Sequence, residues 1–78
     1  MRSAIKQEHL EGIYKLCQRY VRTYGRSYRK NKLVLVYKVL LSSSRIYKFN
    51  LSEVTKDDIR SLKSFIDAAI DEVGGYYD

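Results

Sequence analysis

The side chains that could carry chemistry are few and poorly partnered. His9 is the only histidine and Cys17 the only cysteine, while Asp67 and Asp71 stand four residues apart. His9 lies one turn before Ile13, a place for a helix-surface or core-edge residue. Cys17 falls on an apolar helix face, where a buried thiol is inert. Two carboxylates at helical spacing with no histidine read as a solvated acidic face more readily than as a metal site. One cysteine excludes an internal disulfide and a cysteine-based zinc site, and it suits a reducing compartment. Gly25 is solitary and Gly74-Gly75 reads as a helix stop, so there is no glycine-rich phosphate loop. The expectation is a protein that is no enzyme and uses no metal or cofactor.

The cations are the other candidates. Between Gly12 and Ser52 there are ten Lys or Arg and no Asp or Glu. The flanking segments carry a balanced charge before Gly12 and an acidic excess after Ser52, within a net +6. Such asymmetry points to an oriented field and an anionic partner. Its densest part is Tyr14 to Lys32, with seven cations and four tyrosines. Lys15, Arg19, Arg22, Arg26 and Arg29 recur at spacings of four, three, four and three, which on a helix makes one stripe. Glu11 precedes Lys15 by four and pairs with it in the better orientation.

These residues must be held by some fold, and 78 residues allow one domain, 1–78. No apolar run approaches the ~20 residues that cross a bilayer, and nothing reads as a signal peptide, so the expected location is cytoplasmic. A first helix is expected over 3–24, capped by Ser3. Its apolar face is Leu10, Ile13, Cys17, Tyr20, Val21 and Tyr24, widened by Ile5 and Leu16. Gly25 suits the position just past a helix end, leaving Arg26 to Lys32 as a basic connection. A last helix is expected over 56–73, with Thr55 as N-cap, Asp58 at the capping-box position and Val54 and Ile59 as a hydrophobic staple. Its apolar face is Ile59, Leu62, Phe65, Ile66, Ala69, Ile70 and Val73, and Tyr76 to Asp78 form a tail.

The middle is ambiguous. Leu33 to Leu41 satisfies helical spacing as well as a short buried strand, and its valines and tyrosine favour the strand. Ser42, Ser43 and Ser44 read as a turn, and Tyr47, Phe49 and Leu51 alternate with polar residues. The expected fold class is therefore α+β, a helix–β-hairpin–helix (αββα) with strands at 33–41 and 45–51. The register pairs Tyr37 with Phe49, Val39 with Tyr47 and Lys38 with Lys48, and both helices pack on the Tyr37/Phe49 face. Val34, Val36, Leu40 and Ile46 are then left uncovered, which invites a homodimer that extends the sheet through the 33–41 strand.

Two functions fit these features. In the first, the chain binds nucleic acid or nucleoprotein through phosphate contacts from Arg19, Arg22, Arg26, Arg29, Lys30 and Lys32, joined by Lys38 and Lys48. Tyr20 and Tyr24 belong to the apolar face; Tyr14 and Tyr28 remain as surface aromatics, so base stacking has little support. No helix-turn-helix, zinc-finger, RNP or KH pattern is present. In the second, the same residues dock on an acidic protein surface, as in small inhibitors or accessory factors of phages and mobile elements. The abundance of Tyr, Lys and Ile is compatible with the AT-rich genomes of such elements. A membrane is not an expected partner, because the apolar face of the first helix is needed for the fold.

Overall fold

The computed structural model describes residues 4–28 and 31–73, with the side chains of Arg26 and Tyr28 outside that description. A 3-10 turn at Gln7–His9 leads into α1, Leu10–Tyr28; α2 is Lys32–Tyr47; a second 3-10 turn at Leu51–Glu53 precedes α3, Lys56–Val73. There is no strand among the described residues. The α+β expectation is corrected: the fold is a three-helix bundle, and the hairpin, its register and the sheet-extending dimer have no basis in it.

Contacts fix the topology. Tyr20 of α1 meets Ser42 of α2 through their hydroxyls, and the Lys38 ammonium sits 4.7 Å from the Tyr24 ring centroid. Lower down, His9 stacks on Tyr47 at 4.2 Å. Rising residue numbers on α1 thus meet falling ones on α2, so the two helices are antiparallel. Tyr14 packs edge-on against Phe65, and Gln18 donates to Glu72, so α1 and α3 are parallel. Lys32 pairs with Asp67 at 2.5 Å, which closes the up-down-up arrangement. Its extents are 40 × 20 × 19 Å.

The middle segment is a helix because three apolar stripes must be covered together. Ile13, Cys17 and Val21 on α1, with Leu62, Ile66 and Ala69 on α3, are buried seams about 10 Å long or more. A two-stranded hairpin would cover one side of each and leave its own back face wet. A third helix buries Leu35, Val36, Val39, Leu40 and Ser43 into the same core. The spacing of those five is the 1-4-5 pattern of a helix face, and tertiary burial overrides the strand propensity of the valines. Of the residues assigned to an uncovered sheet face, Val36 and Leu40 are buried, Val34 is half-buried and Ile46 is exposed. Tyr37, placed by the hairpin at the heart of the core, is 54% exposed.

The serine triplet is absorbed into α2. Ser42 bonds Tyr20, Ser44 donates to the Leu41 carbonyl within the helix, and Ser43 is fully buried with no hydrogen-bond partner for Oγ among the described residues. The helix stops without glycine: Lys48 takes a left-handed conformation at φ 57° and its N–H returns to the Ser44 carbonyl. Gly25 is likewise no helix end, since α1 continues through it to Tyr28 and buries it. Among the described residues the glycine with a steric role is Gly12, where a Cβ would overlap the Tyr47 hydroxyl. Tyr47 can lie across α1 because nothing projects there.

The start of α3 matches its sequence signals. Asp58 N–H donates to Thr55 Oγ1 at 3.1 Å, and Thr55 N–H donates to Asp58 Oδ2 at 3.0 Å, a reciprocal capping box. Val54 and Ile59 are both half-buried against the core. Ser3, Gly74-Gly75 and the tail from Tyr76 lie outside the described residues.

Candidate polyanion-binding face

Two helices build the basic surface. On α1, Ile13, Cys17 and Val21 point inward at fourfold spacing, so Arg19 lies within about 20° of the opposite pole on the side of α2, and Arg22 about 40° from that pole on the side of Gln18. Both arginines are exposed. On α2, Lys38, Ser42 and Arg45 follow at i, i+4 and i+7 and share the flank that meets Tyr20 and Tyr24. Arg45 is exposed, and Lys48 is exposed just past the helix end. Arg19, Arg22, Arg45 and Lys48 form no ion pair with a described residue.

The eight residues singled out in the sequence do not all gather here. Arg19, Arg22, Lys38 and Lys48 belong to this two-helix surface. Lys38 and Lys48 are not opposed across strands; Lys38 lies within α2 and Lys48 just past its end, with more than two helical turns between them. Lys32 is turned to α3, where its ammonium is held by Asp67. The side chain of Arg26, and Arg29 and Lys30 entirely, lie outside the described residues. Arg45 joins this surface only because 32–47 is a helix; the strand assignment made it the first residue of the 45–51 strand, away from the other cations.

The neighbouring acids leave this surface uncovered. Glu11 reaches Lys15 at 3.9 Å between side chains exposed by 74% or more, a pair that contributes well under 1 kcal/mol. Asp57 pairs with Arg60 within α3, and Glu72 accepts from Gln18. The acidic helix therefore satisfies its own residues and the α3 side of α1 and α2.

Tyr14, Tyr20 and Tyr24 are structural. Tyr20 and Tyr24 stack at 5.7 Å between centroids, half-buried. With Ser42 on the Tyr20 hydroxyl and Lys38 over Tyr24, a nucleobase would have to displace Lys38 to stack. Tyr14 is half-buried against Phe65, and its hydroxyl titrates above the ordinary phenol range because of burial, reinforced by a hydrogen bond to Glu72. His9 spends its ring on Tyr47. The surface can therefore offer cations to phosphate or carboxylate groups, with little aromatic area exposed for bases among its described residues; the side chain of Tyr28 lies outside them.

Cys17 is fully buried, and burial pushes its thiol from 9.0 up to about 12. The unfolded chain then loses this proton at lower pH than the folded chain does. The stabilisation from keeping the thiol neutral is complete below pH 9.0 and is lost as pH rises from there toward about 12. Urea melts should show stability falling above pH 9.0 by up to about 1.4 kcal/mol per pH unit more in the native chain than in Cys17→Ala. Equal slopes in the two proteins would show that the thiol is not sequestered.

The described residues hold no group of three or more His, Cys, Asp and Glu that could bind a metal ion, and among them no helix is long and apolar enough to cross a membrane. The fold and this face define a small basic three-helix protein with a cationic two-helix surface. No family model matches the chain, and comparison with curated proteins and with solved structures finds no match.

Proposed function

We propose that this chain is a non-catalytic binding protein whose α1/α2 face docks on the phosphate backbone of a nucleic acid. The observation that carries the reading is the segregation of charge. Arg19, Arg22, Arg45 and Lys48 are exposed and not ion-paired with any described residue, in a segment from Gly12 to Ser52 that contains no acid. Phosphate contacts of this kind position a protein without reading sequence. The engagement of Tyr20 and Tyr24 within the bundle favours backbone contact over base stacking. A reducing, cytoplasmic setting suits the free, buried Cys17.

Fluorescence anisotropy with labelled single- and double-stranded oligonucleotides, from about 50 to about 200 mM salt, tests this reading. Four phosphate contacts on duplex DNA imply a slope of log K against log salt near −3.6, a loss of roughly 100-fold over that range. The Arg19/Arg22/Arg45/Lys48→Ala variant should bind at least about tenfold more weakly at low salt and with a flatter slope. Absence of binding at low salt, or equal binding by the variant, would overturn the nucleic-acid reading. The same cations would then be assigned to an acidic protein surface, the mode of a small inhibitor or accessory factor.

A further inference from the structure

We infer that the groove between α2 and α3 is a docking site for an acidic amphipathic helix of another protein. The groove lies on the other side of α2 from Tyr20 and Tyr24; it shares Arg45 and Lys48 at its rim with the phosphate-binding face, and its apolar lining does not depend on the nucleic-acid reading. Leu33, Tyr37 and Leu41 follow one another at fourfold spacing on α2 and are 41%, 54% and 45% exposed. A bundle of this size has no packing need for three large apolar side chains in a row on its outside. Leu51, 45% exposed in the connection to α3, extends the patch. Large apolar side chains exposed in a contiguous row, rather than scattered singly, are the kind of surface that marks an interaction site.

The shape selects a helix. Tyr37, Leu40, Leu51, Val54 and Ile59 line a concavity of about 180 Å³ that opens to solvent. Leu40, only 2% exposed, forms its floor. Tyr37 and Leu51 thus edge a recess between two antiparallel helices, and Leu33 and Leu41, one turn to either side of Tyr37, extend it along α2, a seat for side chains presented at i, i+3 or i+4 and i+7. A bilayer would be met by a projecting apolar ridge instead.

The charges at the rim select the sign of the partner. Arg45 follows Leu41 by one turn, and Lys48 and Lys56 flank the connection that carries Leu51 and Val54. Lys63 follows Ile59 by one turn on the same flank of α3. All four cations are exposed. Glu53 is the acid in the connection, and at the far end Lys32 and Asp67 neutralise each other. A second copy would bring these cations against its own, so a helix flanked by carboxylates fits better than self-association.

The probe is a fluorescein-labelled synthetic helical peptide with leucines at i, i+4 and i+7 flanked by glutamates. Beside it runs the same leucine pattern flanked by lysines. The glutamate peptide should bind with a dissociation constant on the order of 10 μM, and the lysine peptide at least about tenfold more weakly. Tyr37→Ser and Lys63→Glu, both at exposed positions that leave the helical circular dichroism unchanged, should each weaken binding by about tenfold. Arg19/Arg22→Ala should leave it unchanged. Equal binding of the two peptides, indifference to Tyr37→Ser, or loss only with Arg19/Arg22→Ala would overturn the proposal. So would a dimer in sedimentation that Tyr37→Ser dissolves, which would give the groove to a second copy. Binding to phosphatidylserine vesicles lost in Tyr37→Ser, with no peptide binding, would give it to a lipid surface.

Discussion

Leu40→Ala should cost about 3 kcal/mol of folding stability, while Tyr37→Ala three residues earlier should cost less than about 1 kcal/mol. Leu40 is 2% exposed and Tyr37 is 54% exposed. Truncating the first removes buried methyl groups and leaves a cavity that α1 and α3, joined to the core through Ile13, Cys17, Leu62 and Ile66, cannot close without moving. Truncating the second uncovers part of a surface groove. A domain of this length has a total stability of roughly 4–12 kcal/mol, so Leu40→Ala should lower a urea midpoint by a large fraction. The measurement is a pair of urea titrations followed by circular dichroism. A hairpin would give the opposite order, with Tyr37 in the core and Leu40 on the wet face, so a greater loss in Tyr37→Ala would overturn the three-helix arrangement.

That contrast locates where the sequence could be read and where it misled. The last helix was legible because several signals agreed: Thr55 and Asp58 as a capping box, Asp57 in the first turn, and an apolar face from Ile59 to Val73. In the first helix the seam Ile13, Cys17, Val21 was legible from spacing alone. Its limits were not, since the chain enters through a 3-10 turn at Gln7–His9 and passes through Gly25. Glycine is a stop signal only where the backbone needs φ > 0, and the bundle contacts along α1 outweigh its cost of about 1 kcal/mol. The middle failed for a related reason. Ser42 to Ser44 carry turn propensity, yet each finds a place in α2, and the true stop is Lys48 in a left-handed conformation, a residue type that gives no warning of it. The alternation of Tyr47, Phe49 and Leu51 is a helix end running into a 3-10 turn, which mimics a period of two over a few residues.

The cationic face was legible in outline for a simpler reason: charge segregation in sequence survives any fold that keeps the segment on the surface. Which cations share a face was not, because that depends on the period of the middle segment. With a period of 3.6, Arg45 joins the flank of α2 that carries Lys38 and Ser42; with a period of two it opened the second strand, opposite Leu41. Lys32 shows the limit of charge counting, since its partner Asp67 lies 35 residues away. The α2/α3 groove could not be anticipated at all, because every apolar residue of 33–41 had already been assigned to strand faces.

Asp58→Ala should cost about 2–4 kcal/mol, well above the ~1 kcal/mol of an ordinary lost cap. Asp58 is 3% exposed, and its Oδ2 accepts from Thr55 N–H at 3.0 Å and from Ala4 N–H at 3.1 Å. The first bond holds the start of α3; the second spans 54 residues and pins the segment before α1 to it. Alanine would leave both donors without the carboxylate and remove a negative charge from the positive end of the helix. It would also loosen Ile5, 9% exposed beside this carboxylate in the cleft formed with Leu10 and Ser61. An asparagine side chain keeps one acceptor of the same shape, so Asp58→Asn should cost about half as much. Thr55→Ala removes the cap on the other side of the box alone and should cost about 1 kcal/mol. The readout specific to the long-range bond is hydrogen exchange at the Ala4 amide. It should lose its protection in Asp58→Ala and keep it in Thr55→Ala; equal exchange in both would show that Asp58 acts as a local cap only.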